Sequence, residues 1–129
     1  MRRFHNPPPH RVHPPIAGFH HQAEVSPSRW LVLSGQLGIR PDGHVPEDTI
    51  EQLAVALENV RQNLLAADLQ VKDVVKLTIH LVGEVDMDRL RVELARWLGK
   101  HEPTLTILFV AGLVGPSFRV QVEALAAAY

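Results

Sequence analysis

Two apolar periodicities follow one another in this chain, and together they limit what it can fold into. Ile50, Leu53, Ala54, Leu57, Val60, Leu64 and Ala67 recur at i, i+3, i+4 spacing. That stripe is one face of an amphipathic helix. Pro46-Glu47-Asp48-Thr49 opens it, with Asp48 and Glu51, or Thr49 and Gln52, at N-cap spacing. Its end is expected near Asp68. Residues 74–82 then switch to a period of two. Val75, Leu77, Ile79 and Leu81 share one face of a strand, and Lys76, Thr78 and His80 share the other. A second helix follows, capped by Asp86, striped by Leu90, Leu94, Trp97 and Leu98, and closed by Gly99.

Strands are expected on both sides of this unit. Residues 19–25 alternate weakly, 30–38 are rich in large apolar side chains, and Pro41-Asp42-Gly43 is a turn. Residues 104–111 and 118–126 form two more strands, the last with Phe118, Val120, Val122 and Ala124 on one face. The order is β-β-α-β-α-β-β, an α+β chain. Two helices can cover only one face of its sheet. The other face carries Lys76, Thr78, His80, Arg119, Gln121 and Glu123 among Leu108, Val110 and Leu125. Such a face is either solvated or buried in an oligomer.

Residues 1–17 stand apart as a Pro/His-rich arm, with Pro7, Pro8, Pro9, Pro14 and Pro15, and a single domain is expected over 18–129. No apolar stretch follows Arg2-Arg3, so a secretory signal is not expected, nor is a membrane span. A cytoplasmic protein is the default. The chain of 129 residues has a net charge of −1 and no cysteine. There is no general electrostatic drive toward nucleic acid or anionic lipid. Disulfides, thiolate metal sites and cysteine nucleophiles are excluded. His5, His10, His13, His20 and His21 lack ligand spacing and a carboxylate set, so neither metal nor cofactor is expected.

A set of short motifs carries more information. Ser34-Gly35-Gln36 follows an apolar strand. Pro41-Asp42-Gly43, Val45-Pro46, Gln52 and Asn59 come next. Asp73-Val74-Val75-Lys76-Leu77-Thr78, Pro103 and the closing Val122-Glu123-Ala124-Leu125-Ala126 complete it. In this order and spacing they resemble the Rid (YjgF) family over about residues 18–127. The resemblance implies a chorismate-mutase-like fold. It also implies a homotrimer with sheets lining a central barrel and small-molecule clefts between subunits. The family's best-known activity is hydrolysis of reactive imines and enamines. There an arginine two residues after the proline grips the substrate carboxylate, and a glutamate on the last strand helps place the attacking water.

This chain departs at both points. The arginine position is Leu105, and the residue best aligned to the glutamate is Gln121, with Glu123 two residues on. The asparagine usual in the second helix aligns with Arg91. A two-pronged guanidinium–carboxylate contact is worth on the order of 10²–10⁴-fold in binding or rate. A divergent member is therefore expected. It would bind a small metabolite and hydrolyse an enamine, imine or related labile compound, and it would not be a standard 2-iminopropanoate deaminase. The alternative is a non-catalytic ligand-binding or chaperone-like trimer. An endoribonuclease fits the neutral charge less well.

Candidate residues follow with their competing structural roles. Arg91 is either a relocated anion holder or an exposed arginine paired with Glu84 or Asp88. Phe19 or His21 takes the place of a cleft tyrosine, and His21 can serve as acid or base near neutral pH. The competing role of His21 is that of a surface residue at a sheet edge. Ser34 and Gly35 either offer backbone to a ligand or form a strand bulge. Lys76 is a candidate ion-pair partner of Glu123. Leu105 would contact an apolar part of the ligand, and Gln121 or Glu123 would orient water.

Overall fold

The computed structural model describes residues 2–16 and 19–129. Arg2–His5 (β1) and Gln22–Val25 (β2) form a two-stranded antiparallel ribbon. Arg29–Val32 (β3), Gln36–Leu37 (β4), Val74–Leu81 (β5), Thr104–Phe109 (β6) and Val120–Ala128 (β7) form the main sheet. Its order is β3-β7-β5-β6, with β4 also paired to β7. β5 runs antiparallel to β7 and parallel to β6. Thr49–Ala66 (α1) and Met87–Leu98 (α2) are the two helices. The α+β class and the two helices on a mixed sheet are as the patterns require. No helix among the described residues is long and apolar enough to cross a membrane.

The core is where the two periodicities meet. Leu53, Leu57, Val60 and Leu64 of α1 pack with Leu77, Ile79, Leu81, Val120 and Val122, all fully buried, and with Leu90 of α2. Asp48 caps α1 by accepting from the Glu51 N–H at 3.0 Å, and Asp86 caps α2 by accepting from Arg89 N–H at 3.1 Å. Gly99 ends α2 with φ of 62°, a conformation that disfavours any Cβ.

Residues 30–38 are not one strand. The register runs Val32 opposite Leu125, then Gln36 opposite Val122, so one extra residue bulges out at Ser34-Gly35. The last strand also begins later than expected, at Val120, because Phe118 closes a turn onto the Gly115 carbonyl. Beyond the bulge, Gly38 lies against the first turn of α1. A Cβ on it would stand 2.7 Å from the Gln52 carbonyl oxygen and 2.8 Å from Gln52 Cα. That obstacle is helix backbone and cannot swing aside. Gly38→Ala is expected to cost about 2–3 kcal/mol. Urea unfolding should show a lower midpoint at unchanged slope, and an unmoved midpoint would refute the contact.

The expected boundary between arm and domain falls on Ala17 and Gly18, outside the described residues. Before it, Arg2–His5 pairs with β2, which the proline content did not suggest. Arg2 reaches Asp73 at 3.3 Å, and Phe4 stacks on His20 and meets His101 edge-on. His101 Nε2–H donates to the Val74 carbonyl at 2.7 Å. Burial above all, with the Arg2 charge a lesser cause, pulls the His101 pKa below 6.5. Its bond to Val74 and the Asp73 carboxylate oppose this only in part. The unfolded chain therefore takes up the proton first, and stability falls as pH drops below about 6.5. Melting scans from pH 7 to 5 should show a downward slope that is shallower in His101→Gln. Equal slopes would remove His101 as the source.

Candidate functional site

The site is built where residues of α2 face the edge strand β6 across a cavity. The α2 stripe directs Met87, Leu90 and Leu94 toward Leu105 and Ile107 of β6, and a cavity of about 230 Å³ remains between them. Arg91 and Phe19 complete its wall, with Ile16 at the rim. Phe19 is far from both elements in sequence. It arrives because the next residue is stitched to the loop before β6. His20 N–H donates to the Pro103 carbonyl at 3.1 Å, and its Nδ1–H donates to the Glu102 carbonyl at 2.5 Å.

Three of the expected site residues, Phe19, Arg91 and Leu105, therefore meet in one cavity. Arg91 donates from Nη1 to Asp88 at 3.2 Å. Both partners are exposed, the carboxylate almost fully at 96%. Such an exposed i,i+3 pair is worth a few tenths of a kcal/mol and leaves the other guanidinium donors open. His21 does not line the cavity. Its backbone N–H donates to Asn6 Oδ1 at 2.6 Å and its Nε2–H to the His13 carbonyl at 2.7 Å, so it ties the arm down beside Phe19.

The remaining four lie at the opposite side of the sheet. Gly35 sits so close to Gln121 that a Cβ there would stand 2.3 Å from its amide nitrogen. The Ser34 carbonyl accepts from Gln36 Nε2 at 3.0 Å. Glu123 lies opposite Thr78 on the helix-free face, in a groove of about 220 Å³ shared with Val32, Lys76 and Leu125. Lys76 pairs with Leu125 across the ladder rather than with Glu123. Among the described residues no ion pair joins Lys76 to Glu123 within the chain, because the register sets them one step apart along the face.

Some contributors were not singled out from sequence. Leu90 and Leu94 belong to a recognised stripe, but a stripe does not reveal that its packing is incomplete. Ile16 carried no signal, being assigned to the arm. Asn59, named above as a motif residue but given no role, clips the strand after the bulge by donating to the Leu37 and Ile39 carbonyls at 3.0 and 2.9 Å. A larger hollow of about 430 Å³ lies outside α1 among Arg40, Glu51, Glu58 and Gln62. It shares no wall with any of the expected site residues.

A helix pair on one face of a mixed sheet, with a cavity between the second helix and the edge strand, is a fold with known relatives. The sequence profile of the family described as Endoribonuclease L-PSP matches residues 11–128. TdcF of Escherichia coli K12 is 30% identical over 100 residues, 74% of this chain and 77% of that one. The 2-iminobutanoate/2-iminopropanoate deaminase of the same strain is 29% identical over 100 residues, with the same coverage of 74% and 77%. The crystal structure of E. coli TdcF with bound serine matches with a TM-score of 0.73 at 28% identity, covering 81% of this chain and 85% of that one. YyfB of Yersinia pestis, described as a Rid-family protein of unknown function, matches in fold with a TM-score of 0.81 at 24% identity over 98% of each chain. The chain belongs to the Rid (YjgF) family.

Proposed function

We propose that this chain works as a homotrimer that hydrolyses an imine or enamine in a cleft built from two copies, and that it is not a standard 2-iminopropanoate deaminase. The observation that carries the reading is the division of its candidate residues between the two ends of the sheet. Phe19, Arg91 and Leu105 lie at the β6 edge, whereas Ser34 and Gly35 lie at the β3–β4 edge, with Gln121 of the adjoining inner strand β7 packed against Gly35. A head-to-tail contact of these edges would unite both sets, and three such contacts close a ring. The surface of 7535 Å² is above the roughly 6,800 Å² usual for a folded monomer of this mass. Exposed Val32, Leu108 and Phe109 are part of that surface.

In this cleft Arg91 holds the carboxylate, and Phe19 and Leu105 contact the substrate chain. Gly35 and the Ser34 carbonyl offer backbone from the neighbouring copy. Gln121 orients a water, and Glu123, the only carboxylate of the set, accepts its proton. The water oxygen bonds to the C=N carbon, and Glu123 passes the proton it accepted to nitrogen. The carbinolamine then gives its hydroxyl proton to nitrogen by way of Glu123, the C–N bond breaks, and ammonia and the carbonyl compound leave. His21 stays bonded to Asn6 and His13 of the arm and is no part of this cleft. The serine held by TdcF supports a small-molecule cleft, and the deaminase name of the second relative supports the reaction class.

The test is keto-acid release from imines made in situ by an amino-acid oxidase, with and without the protein. Acceleration over the oxidase alone is expected for at least part of a panel of side chains. No acceleration anywhere on the panel removes the hydrolase. Gln121 in place of a glutamate favours the second reading, a ligand-binding trimer, which would show thermal stabilisation by ligand without turnover. Sedimentation at micromolar concentration should give a trimer, and a monomer would end both readings.

A further inference from the structure

We infer that the cavity between α2 and β6 selects a carboxylate carrying an unbranched or terminally branched apolar chain of about four to six carbons. The inference rests on the reading of this cavity as the ligand site, and it names the class of molecule that site takes. Three observations carry it. Leu90, Leu94, Leu105, Ile107 and Phe19 make the walls, and none of them offers a side-chain hydrogen bond. A small polar molecule would lose its water there without replacement. The volume, about 230 Å³, equals about seven or eight waters at liquid density, which is the size of hexanoate. Among the described residues the single charge on the wall is Arg91, paired on its solvent side with Asp88, and its exposed position places a carboxylate at the mouth while the chain points inward. A propanoate-sized ligand would reach Arg91 but leave the inner wall, down to buried Leu90 and Leu94, uncovered.

The experiment titrates the full-length protein with stable carboxylates, propanoate, butanoate, hexanoate and 4-methylpentanoate, and with the uncharged 1-hexanol. Calorimetry and ligand-dependent melting give the affinities. Each buried methylene should tighten binding about fourfold, so hexanoate should bind on the order of 50-fold more tightly than propanoate. Arg91→Gln, an exposed helix position, should weaken hexanoate about tenfold and leave hexanol unchanged. Affinity that is flat from propanoate to hexanoate overturns the inference. So does hexanol binding as tightly as hexanoate with no effect of Arg91→Gln. None of these probes is hydrolysed. Absent imine turnover with the chain-length series intact removes the hydrolase alone, and turnover with a flat series removes only the inference.

Discussion

Leucine in place of Gln52 is expected to lower the unfolding free energy by about 3–5 kcal/mol. Gln52 is 1% exposed and sits in the first turn of α1. Its Nε2 donates to the Pro46 carbonyl at 2.8 Å and to the Ser117 carbonyl at 2.9 Å. Its Oε1 accepts from the Arg119 N–H at 2.8 Å. One amide therefore satisfies the turn before α1 and the entrance to β7, two segments that make no ladder with each other. Leucine fills nearly the same space and leaves all three backbone groups without a partner. Each unmet buried group costs about 1–3 kcal/mol, and the partly wet ones fall at the low end. Urea unfolding with unchanged slope is the measurement. A loss below about 1 kcal/mol would mean that water replaces the amide.

Leu105→Arg is expected to raise turnover of the alanine-derived imine on the order of 10²-fold, given the proposed function. A guanidinium facing a carboxylate makes two charge-assisted hydrogen bonds, each worth about 1.5–3 kcal/mol. The lower end applies because Arg91 already lines the same cavity and repels a second cation. That repulsion has a signature of its own. Without ligand, the variant should melt below the parent by about 1–2 kcal/mol of stability, since its new charge lies on an apolar wall. Propanoate should restore much of this loss, and it should do little for the parent. The oxidase-coupled assay and paired melting scans read both effects. An unchanged rate together with no stabilisation by propanoate would show that position 105 is not where a missing cation belongs.

Most of the fold was legible because its signals are local. The α1 stripe, the Asp48 and Asp86 caps and the alternation of β5 each depend on residues within a few positions. Their large apolar members are buried as the pattern requires, although Ala54 and Ala67 of the α1 stripe are only half-buried and Gln52, Val55 and Ala56 outside it are buried as well. The bulge at Ser34-Gly35 was present in the sequence only as one of two readings, since a glycine in a strand marks a bulge or a close approach. Here both hold, with Gln121 packed where a Cβ would be. β1 was hidden because Phe4 is the only large apolar residue in its four positions, and its partner β2 lies some twenty residues on.

The sequence alone determined the class of fold, the helix-free polar face and the family, since these follow from periods, caps and ordered short motifs. Only the tertiary structure decided that Phe19, Arg91 and Leu105 share one cavity while Gly35, Gln121 and Glu123 stand apart from it. The physical reason is that this grouping is set by contacts between distant segments. The hydrogen bond from His20 to Pro103, the amide of Gln52 reaching residues 117 and 119, and the cavity left between α2 and β6 all depend on how finished elements pack, and no spacing along the chain encodes that.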